Sequence, residues 1–530
     1  MGLLVLATAA ALVSYLIILS IYRLTLHPLA KYPGPKFAAI TNWYAALYIW
    51  RGDMHITHQA WHEQYGDTVR AGPNTLYFNS PSAMAGIYSV GANVRKPDAW
   101  VAFSPSRRSG NILSTVDKTV HAFKRRAIGP VFSDRGLQQL EGRILANVQR
   151  FTARLQVPDE IVPKPAQEDT DSEKGKQGND AWGPKQDMAL LCERLAFDVI
   201  SDIVYGKRLD MLETPGMRWI TDAYTAMSRR SSMSLTQPKL YEWKLDQIFL
   251  SAAYRDIIRT GTYTYNRVKA RVAQGRKETN RDLFDSLMEA QDHKRGLEYR
   301  TKDLWIESML LLTAGADTTS TTMSAAIFYL LHNPAALARA ISEVRQTFKT
   351  ADEIQRITQV NDCKFFQACI NEALRLAPAV PLASLRAVEK GGLTLGGEHI
   401  PEGTIVGTSL YTMQRNPAYF DQPNSFRPER WFVDPATGVT EESVNMTHKA
   451  FAPFGVGPRQ CVGWRLGWLE LNVTLARTLF LYNLRLAPGA PCCSRRISGE
   501  ECEYSTKAWS VMAGEGPVVQ FRRAGPETAY

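Results

Sequence analysis

The chain has 530 residues, of which 45% are hydrophobic and 22% charged, and its formal net charge is +10. That composition excludes a disordered chain and supplies ample material for a core. The positive balance suits an anionic membrane surface or an acidic protein partner, or is simply a basic surface; no basic run interleaved with aromatics points to nucleic acid. The seven cysteines are odd in number and form no regular framework, which favours a reducing compartment.

Residues 2–22, "GLLVLATAAALVSYLIILSIY", contain no charge. At about 1.5 Å per residue they span roughly the 30 Å hydrocarbon layer of a bilayer. A cleaved signal peptide is the rival, but it would be shorter and preceded by a basic region. Here Arg23, Lys31 and Lys36 follow instead. Residues 1–22 are therefore read as an uncleaved single-pass anchor, with the body on the cytosolic side. On that topology the sequons at Asn445 and Asn472 are chance matches.

Residues 23–36 include "LHPLAKYPGPK", whose prolines disfavour helix and stiffen a linker. Residues 37–530 form the body, with a polar, apolar-poor stretch at 163–185 read as a disordered insertion. Helical spacing or composition predicts helices near 117–129, 135–155, 187–205, 214–232, 242–275, 281–293, 300–332, 334–349 and 363–376. The 300–332 stretch is long and apolar, as a helix through the centre of the body would be. From residue 384, short apolar runs broken by Gly-Gly and Pro-Glu-Gly predict small hairpins. The fold class is mainly α with a minor β part.

Four stretches carry chemistry-bearing residues. In "HAFKRRAIGPVFS", His121 and Arg125 lie four apart on one helix face, which is otherwise a solvated basic face. In "AGADTT", Ala314, Gly315, Asp317 and Thr318 interrupt the long apolar helix; the plain reading is a small-residue crossing with a capped kink. In "EALR", Glu372 and Arg375 share a face at i and i+3, as surface ion pairs also do. In "FAPFGVGPRQCVG", Cys461 stands among Gly455, Gly457 and Gly463 and close to Arg459, with no second cysteine or histidine at metal-site spacing. A cysteine thiolate can be the proximal ligand of haem iron, and bare glycine backbone would let a flat group approach. A buried, inert thiol is the alternative.

"FGVGPRQCVG" resembles the cysteine-ligand loop of cytochromes P450, read as Phe-x-x-Gly-x-x-x-Cys-x-Gly over Phe454, Gly455 and onward to Gly463. The other three stretches match the same family in order, and the resemblance covers nearly the whole chain. It implies the cytochrome P450 fold behind one transmembrane helix, and haem b with Cys461 as axial iron ligand. Arg459, His121, Arg125 and Arg386 would contact the haem propionates; the family commonly has Trp where His121 stands. Asp317 would relay protons and Thr318 would hydrogen-bond oxygen on the distal side, above Gly315. Glu372, Arg375 and, from "FRPERW", Arg430 would lock the fold around the cysteine loop. Substrate contacts would include Trp100, Phe103, Met309, Thr313, Ala314, Val380 and Leu382, implying a lipophilic small molecule. Electrons would come from NADPH through a cytochrome P450 reductase, docked on a basic face including Lys124, Arg126 and Arg465. The overall style is similar to fungal microsomal monooxygenases of secondary metabolism, at the endoplasmic reticulum membrane. A P450-fold isomerase or dehydratase and a membrane-anchored haem sensor or electron carrier are the competing expectations.

Overall fold

The computed structural model describes residues 1–158, 181–276, 282–355, 360–382, 384–491, 495–496 and 502–525. The expected insertion at 163–185 lies outside the described residues except for 181–185. Those five are docked rather than free: the Gly183 N–H donates to Phe521 O at 2.8 Å, and Arg485 and Arg522 lie over the Trp182 ring.

The first helix, α1 (Gly2–Thr25), buries no residue and is long and apolar enough to cross a membrane. It runs three residues past the expected end, so Arg23 lies in its last turn. The linker that follows is packed on the body. Leu29 is fully buried, and Arg70 donates to Arg23 O at 2.7 Å and receives the chain back through its own N–H on Pro33 O at 2.7 Å. A Cβ on Gly34 would stand 2.4 Å from Arg70 O, so only glycine fits there. The anchor therefore leaves the body at a fixed place.

Six helices position the site. They are α2 (Lys118–Ile128), α3 (Met188–Tyr205), α4 (Trp219–Thr236), α5 (Thr301–His332), α6 (Lys364–Leu376) and α7 (Trp464–Leu481). Asp117 and Asp187 cap α2 and α3 by accepting from Val120 N and Leu190 N, as their short acidic side chains predict. α5, about 48 Å long, is apolar nearly all round and buried along most of its length. α3 lies against it: a Cβ on Gly315 would come within 2.7 Å of Ile200 Cγ1. One core cluster joins these helices, and two smaller ones lie beneath the sheet and beside the N-terminal helices.

The helix expected over 242–275 is broken. Lys244 adopts a left-handed φ of 59°, and the chain forms separate helices, Asp246–Phe249 and Ser251–Ala273. The helix expected over 281–293 shortens to Leu283–Glu289 before a small hairpin. The hairpin expectation after residue 384 holds for Leu393–Leu395 paired with Glu398–Ile400. The flanking strands instead join a larger mixed sheet of β1 (Thr68–Gly72), β2 (Thr75–Phe78), β3 (Val94–Arg95), β4 (Arg386–Val388) and β5 (Ile405–Thr408), in the order β1–β2–β5–β4–β3. Only β2 and β5 run parallel. Further strands close the C-terminal part, where Tyr482–Leu486 pairs with Val518–Arg523.

Candidate active site

The cysteine loop hangs between β-sheet and α7. The Cys461 N–H donates to Phe454 O at 2.9 Å, and the Gly455 N–H to Ala452 O at 2.9 Å. Gly455 and Gly457 have φ of 69° and 74°, the left-handed region that favours glycine. At Gly457 the demand comes from the protein itself: a Cβ would sit 1.8 Å from Tyr88 O. The expectation that all three glycines serve a flat ligand is thereby corrected for Gly457. Gly455 and Gly463 line a cavity and have open space where a Cβ would point. Cys461 is exposed to that cavity, three residues before α7. Burial pushes its thiol up, while the Gly463 N–H and the Arg125 charge pull it down.

One edge of the site is a knot of like charges. Arg459 donates to Thr115 O at 2.8 Å and Val116 O at 3.2 Å, Arg125 to Gln460 O at 2.7 Å, and Arg386 to Leu385 O at 3.0 Å. Lys96 donates to Leu113 O and lies over the Trp100 ring. Among the described residues none of these four cations makes an ion pair. Burial, then Arg386 and Arg125, lowers Arg459 to about 10; burial, then Arg386 and Arg459, lowers Lys96 well below its usual value. Burial, then Arg459, Lys96, Arg125 and Arg386, lowers His121 to about 3, so its imidazole is neutral. His121 would therefore offer a hydrogen bond, not a charge. Arg386 and Arg459 line the cavity; His121 and Arg125 are not in its lining but lie within electrostatic reach of Arg459. Unpaired buried cations favour an anion beside them. A thiol, open glycine backbone and this cationic edge fit a haem with its two propionates.

Above the cavity runs α5, with Ala314, Gly315, Asp317 and Thr318 in the lining. The helix runs unbroken through these residues. Thr318 Oγ1 donates to Ala314 O at 2.9 Å, which leaves its lone pairs for a partner in the cavity. Burial alone pushes the Asp317 carboxyl up to about 7. The cavity measures about 470 Å³ and is largely apolar. All seven residues expected to contact substrate, Trp100, Phe103, Met309, Thr313, Ala314, Val380 and Leu382, line it.

Glu372 and Arg375 of α6 are fully buried, which removes the surface-pair reading. Arg375 grips Glu372 at 3.0 and 2.8 Å, and Arg430 Nε donates to Glu372 at 3.0 Å. Two donors were missed by sequence reasoning: Trp431 Nε1 at 2.9 Å and the Arg427 N–H at 3.0 Å. Arg375 also donates to Gln414 O at 2.8 Å and Ser425 O at 3.1 Å, tying down the segment that leads to the cysteine loop.

Lys124 does not belong to a basic docking face. Its ammonium is buried on Glu307 of α5 at 2.5 Å, and Glu307 also accepts the Ile112 N–H at 3.0 Å. Arg126 and Arg465 do lie at the surface, paired with Asp292 and Asp134. Lys96 was missed as well; a lone lysine in "VRKPDAW" carries no sequence signal for its company.

The family model for cytochrome P450 matches residues 33–497. The cytochrome P450 monooxygenase poxM of Penicillium oxalicum is 34% identical over 509 residues, covering 96% of this chain and 93% of the relative. AKT7, a cytochrome P450 monooxygenase of Alternaria alternata, is 32% identical over 527 residues, covering 97% of each. The cytochrome P450 monooxygenase atnE of Emericella nidulans is 33% identical over 526 residues, with 98% and 96% covered. The crystal structure of the cytochrome P450DA heme domain matches with a TM-score of 0.69 at 18% identity, over 90% of this chain and 95% of that one, which bears on the fold alone. With the fold, the cysteine loop and these relatives in agreement, the chain belongs to the cytochrome P450 family.

Proposed function

We propose that this chain is a membrane-anchored haem-thiolate monooxygenase. It inserts one atom of dioxygen into a lipophilic small molecule, giving an alcohol or an epoxide, as a tailoring step in fungal secondary metabolism. The observation that carries the reading is that Cys461, the Arg386–Arg459 edge and the Asp317–Thr318 turn open on one apolar cavity. The named relatives support the reaction class.

Haem b, when bound there, supplies the iron at which dioxygen is activated by two electrons. The chain's own residues do the rest. Cys461 holds the iron, and the Cys461 N–H on Phe454 O fixes the loop that aims the sulfur. Arg386, Arg459, Arg125 and Lys96 hold the propionates by charge, and neutral His121 by a hydrogen bond. Met309, Phe103 and Leu382 exclude water and bind the substrate body. Asp317, near half-protonated at neutral pH, holds a proton beside the Thr318 hydroxyl and passes it inward. Electrons come from NADPH through a cytochrome P450 reductase, whose acidic face meets a basic surface that includes Arg126 and Arg465. The anchor places the protein in the endoplasmic reticulum membrane with the body cytosolic.

The test is the carbon monoxide difference spectrum of the reduced, detergent-solubilised protein. A strongly red-shifted Soret band is expected from thiolate ligation, and Cys461→Ser should abolish it. Haem without that band, or folded protein without haem, overturns the reading.

A further inference from the structure

Asp317 is a carboxyl set in an apolar helix with no cation beside it, and the next acid outward is Glu193. Glu193 lies on α3, the helix packed against α5 at Gly315. Asp222 lies in the first turn of α4. Tyr224 of α4 stacks on Phe197 of α3 with ring centroids 5.6 Å apart, and its hydroxyl donates to Met309 O of α5 at 3.4 Å. The three helices therefore meet at Tyr224, two residues along α4 from Asp222. Glu193 lies within electrostatic reach of Asp317, Asp222, Asp187 and its neighbour Arg194. Asp222 is exposed, Glu193 partly exposed, and Asp317 lines the cavity. Among the described residues no hydrogen bond or ion pair holds the carboxyl of Glu193, Asp222 or Asp317. A relay needs acids that are free to exchange protons, and the Arg194 charge pulls on Glu193 less than burial, Asp317 and Asp222 push it.

We propose that Glu193 is the positioning residue behind Asp317, so that protons reach the distal side of the cavity in the order Asp222, Glu193, Asp317, Thr318. The proposal rests on the monooxygenase reading. Inserting one oxygen atom into a substrate consumes two electrons from the reductase and two protons, and the other oxygen atom leaves as water. At each step the Glu193 carboxylic acid gives its proton, through water, to the Asp317 carboxylate. The Glu193 carboxylate takes a replacement from solvent by way of Asp222, so no charge accumulates. Burial, then Asp317 and Asp222, pushes Glu193 up to about 8, while Asp317 stands at about 7. At neutral pH the outer acid is mostly protonated and the inner one near half, which keeps the transfer close to level. The two titrate as a pair.

The experiment compares wild type, Glu193→Gln, Glu193→Asp and Asp222→Asn as full-length, haem-loaded protein. Infrared titration follows the carboxyl bands. Glu470 and Asp198 are also raised towards neutrality, so the signal is the difference from wild type: Glu193→Gln should lose one band titrating near 8 and lower that of Asp317, since a neighbouring negative charge is gone. Reductase-driven NADPH oxidation without added substrate then gives the ratio of water to hydrogen peroxide formed. Glu193→Gln should lower water formation about tenfold relative to peroxide, less than the roughly hundredfold or more of an acid that acts directly, because Asp317 stays in place. It should also abolish the fall that wild type shows above pH about 8. Glu193→Asp should restore part of the ratio, and exposed Asp222→Asn should lower it less. An unmoved infrared titration, or an unchanged ratio and pH profile, overturns the proposal while the carbon monoxide band still stands. Absence of that band from wild type defeats the monooxygenase reading itself.

Discussion

Lys96 is an ammonium group with almost no solvent, a backbone carbonyl and a Trp100 ring for company, and Arg386 and Arg459 within electrostatic reach. Burying such a charge without a counter-ion destabilises the empty protein. The same potential stabilises an anion that arrives. Lys96→Met should therefore raise the melting temperature of haem-free protein and weaken haem retention, two changes of opposite sign. A charge-assisted contact contributes about 1.5–3 kcal/mol, so haem loss should accelerate about ten- to a hundredfold. Thermal melts and haem transfer to an acceptor protein measure the two. If both stabilities fall together, Lys96 is a packing residue. Cys461 and Arg459 were legible because the glycines around them lie within a dozen residues. Lys96 was not, because the charges that crowd it, Arg459 and Arg386, come from the cysteine loop and β4, hundreds of positions away.

At the scale of elements, α6 was legible from a four-residue motif, whereas the purpose of its ion pair became clear only from burial. Glu372 receives Arg375, Arg430, Trp431 and the Arg427 N–H, with no water to replace a lost partner. Removing one member of a buried pair costs about 3–5 kcal/mol. Arg375→Ala should lower the denaturant midpoint accordingly and yield little haem-loaded protein. Arg375→Lys should recover only part, since an ammonium cannot reproduce the fork that grips Glu372 and reaches Gln414 O and Ser425 O. Normal haem loading in Arg375→Ala would show that the cysteine loop holds itself. The strands β1, β2 and β3 escaped sequence reasoning because each is five residues or fewer. β2 and β3 take their later partners, β5 and β4, from some three hundred residues on, and β1 pairs only with β2. The break at Lys244 escaped it too, since helical composition continues through it.

At the scale of the molecule, some apolar residues left in solvent, such as Val90 and Val433, stand singly, while others gather. Apart from α1 those that gather are Phe37, Trp43, Leu47 and Trp50, on the helices Lys36–Ile40 and Asn42–Arg51, and Trp243, Ile248 and Phe249 around the break after Glu242. The two groups are neighbours, because Leu245 and Leu250 pack into the same small core as Ala45, Ala46 and Ile49. Arg23, in the last turn of α1, donates to Ile40 O at 2.5 Å, so this rim begins where the anchor ends. A rim of this kind beside a membrane helix suits shallow insertion at the lipid interface. Protein lacking residues 1–25 should then still sediment with neutral phosphatidylcholine vesicles, with little response to salt because the attraction is apolar. Trp43→Ser combined with Phe249→Ser should release it, since each side chain would lose about 2 kcal/mol of burial in the lipid. Release by salt alone would mean that the basic surface, rather than the rim, holds the body to the bilayer. A truncated chain that stays soluble beside vesicles would leave α1 as the sole attachment.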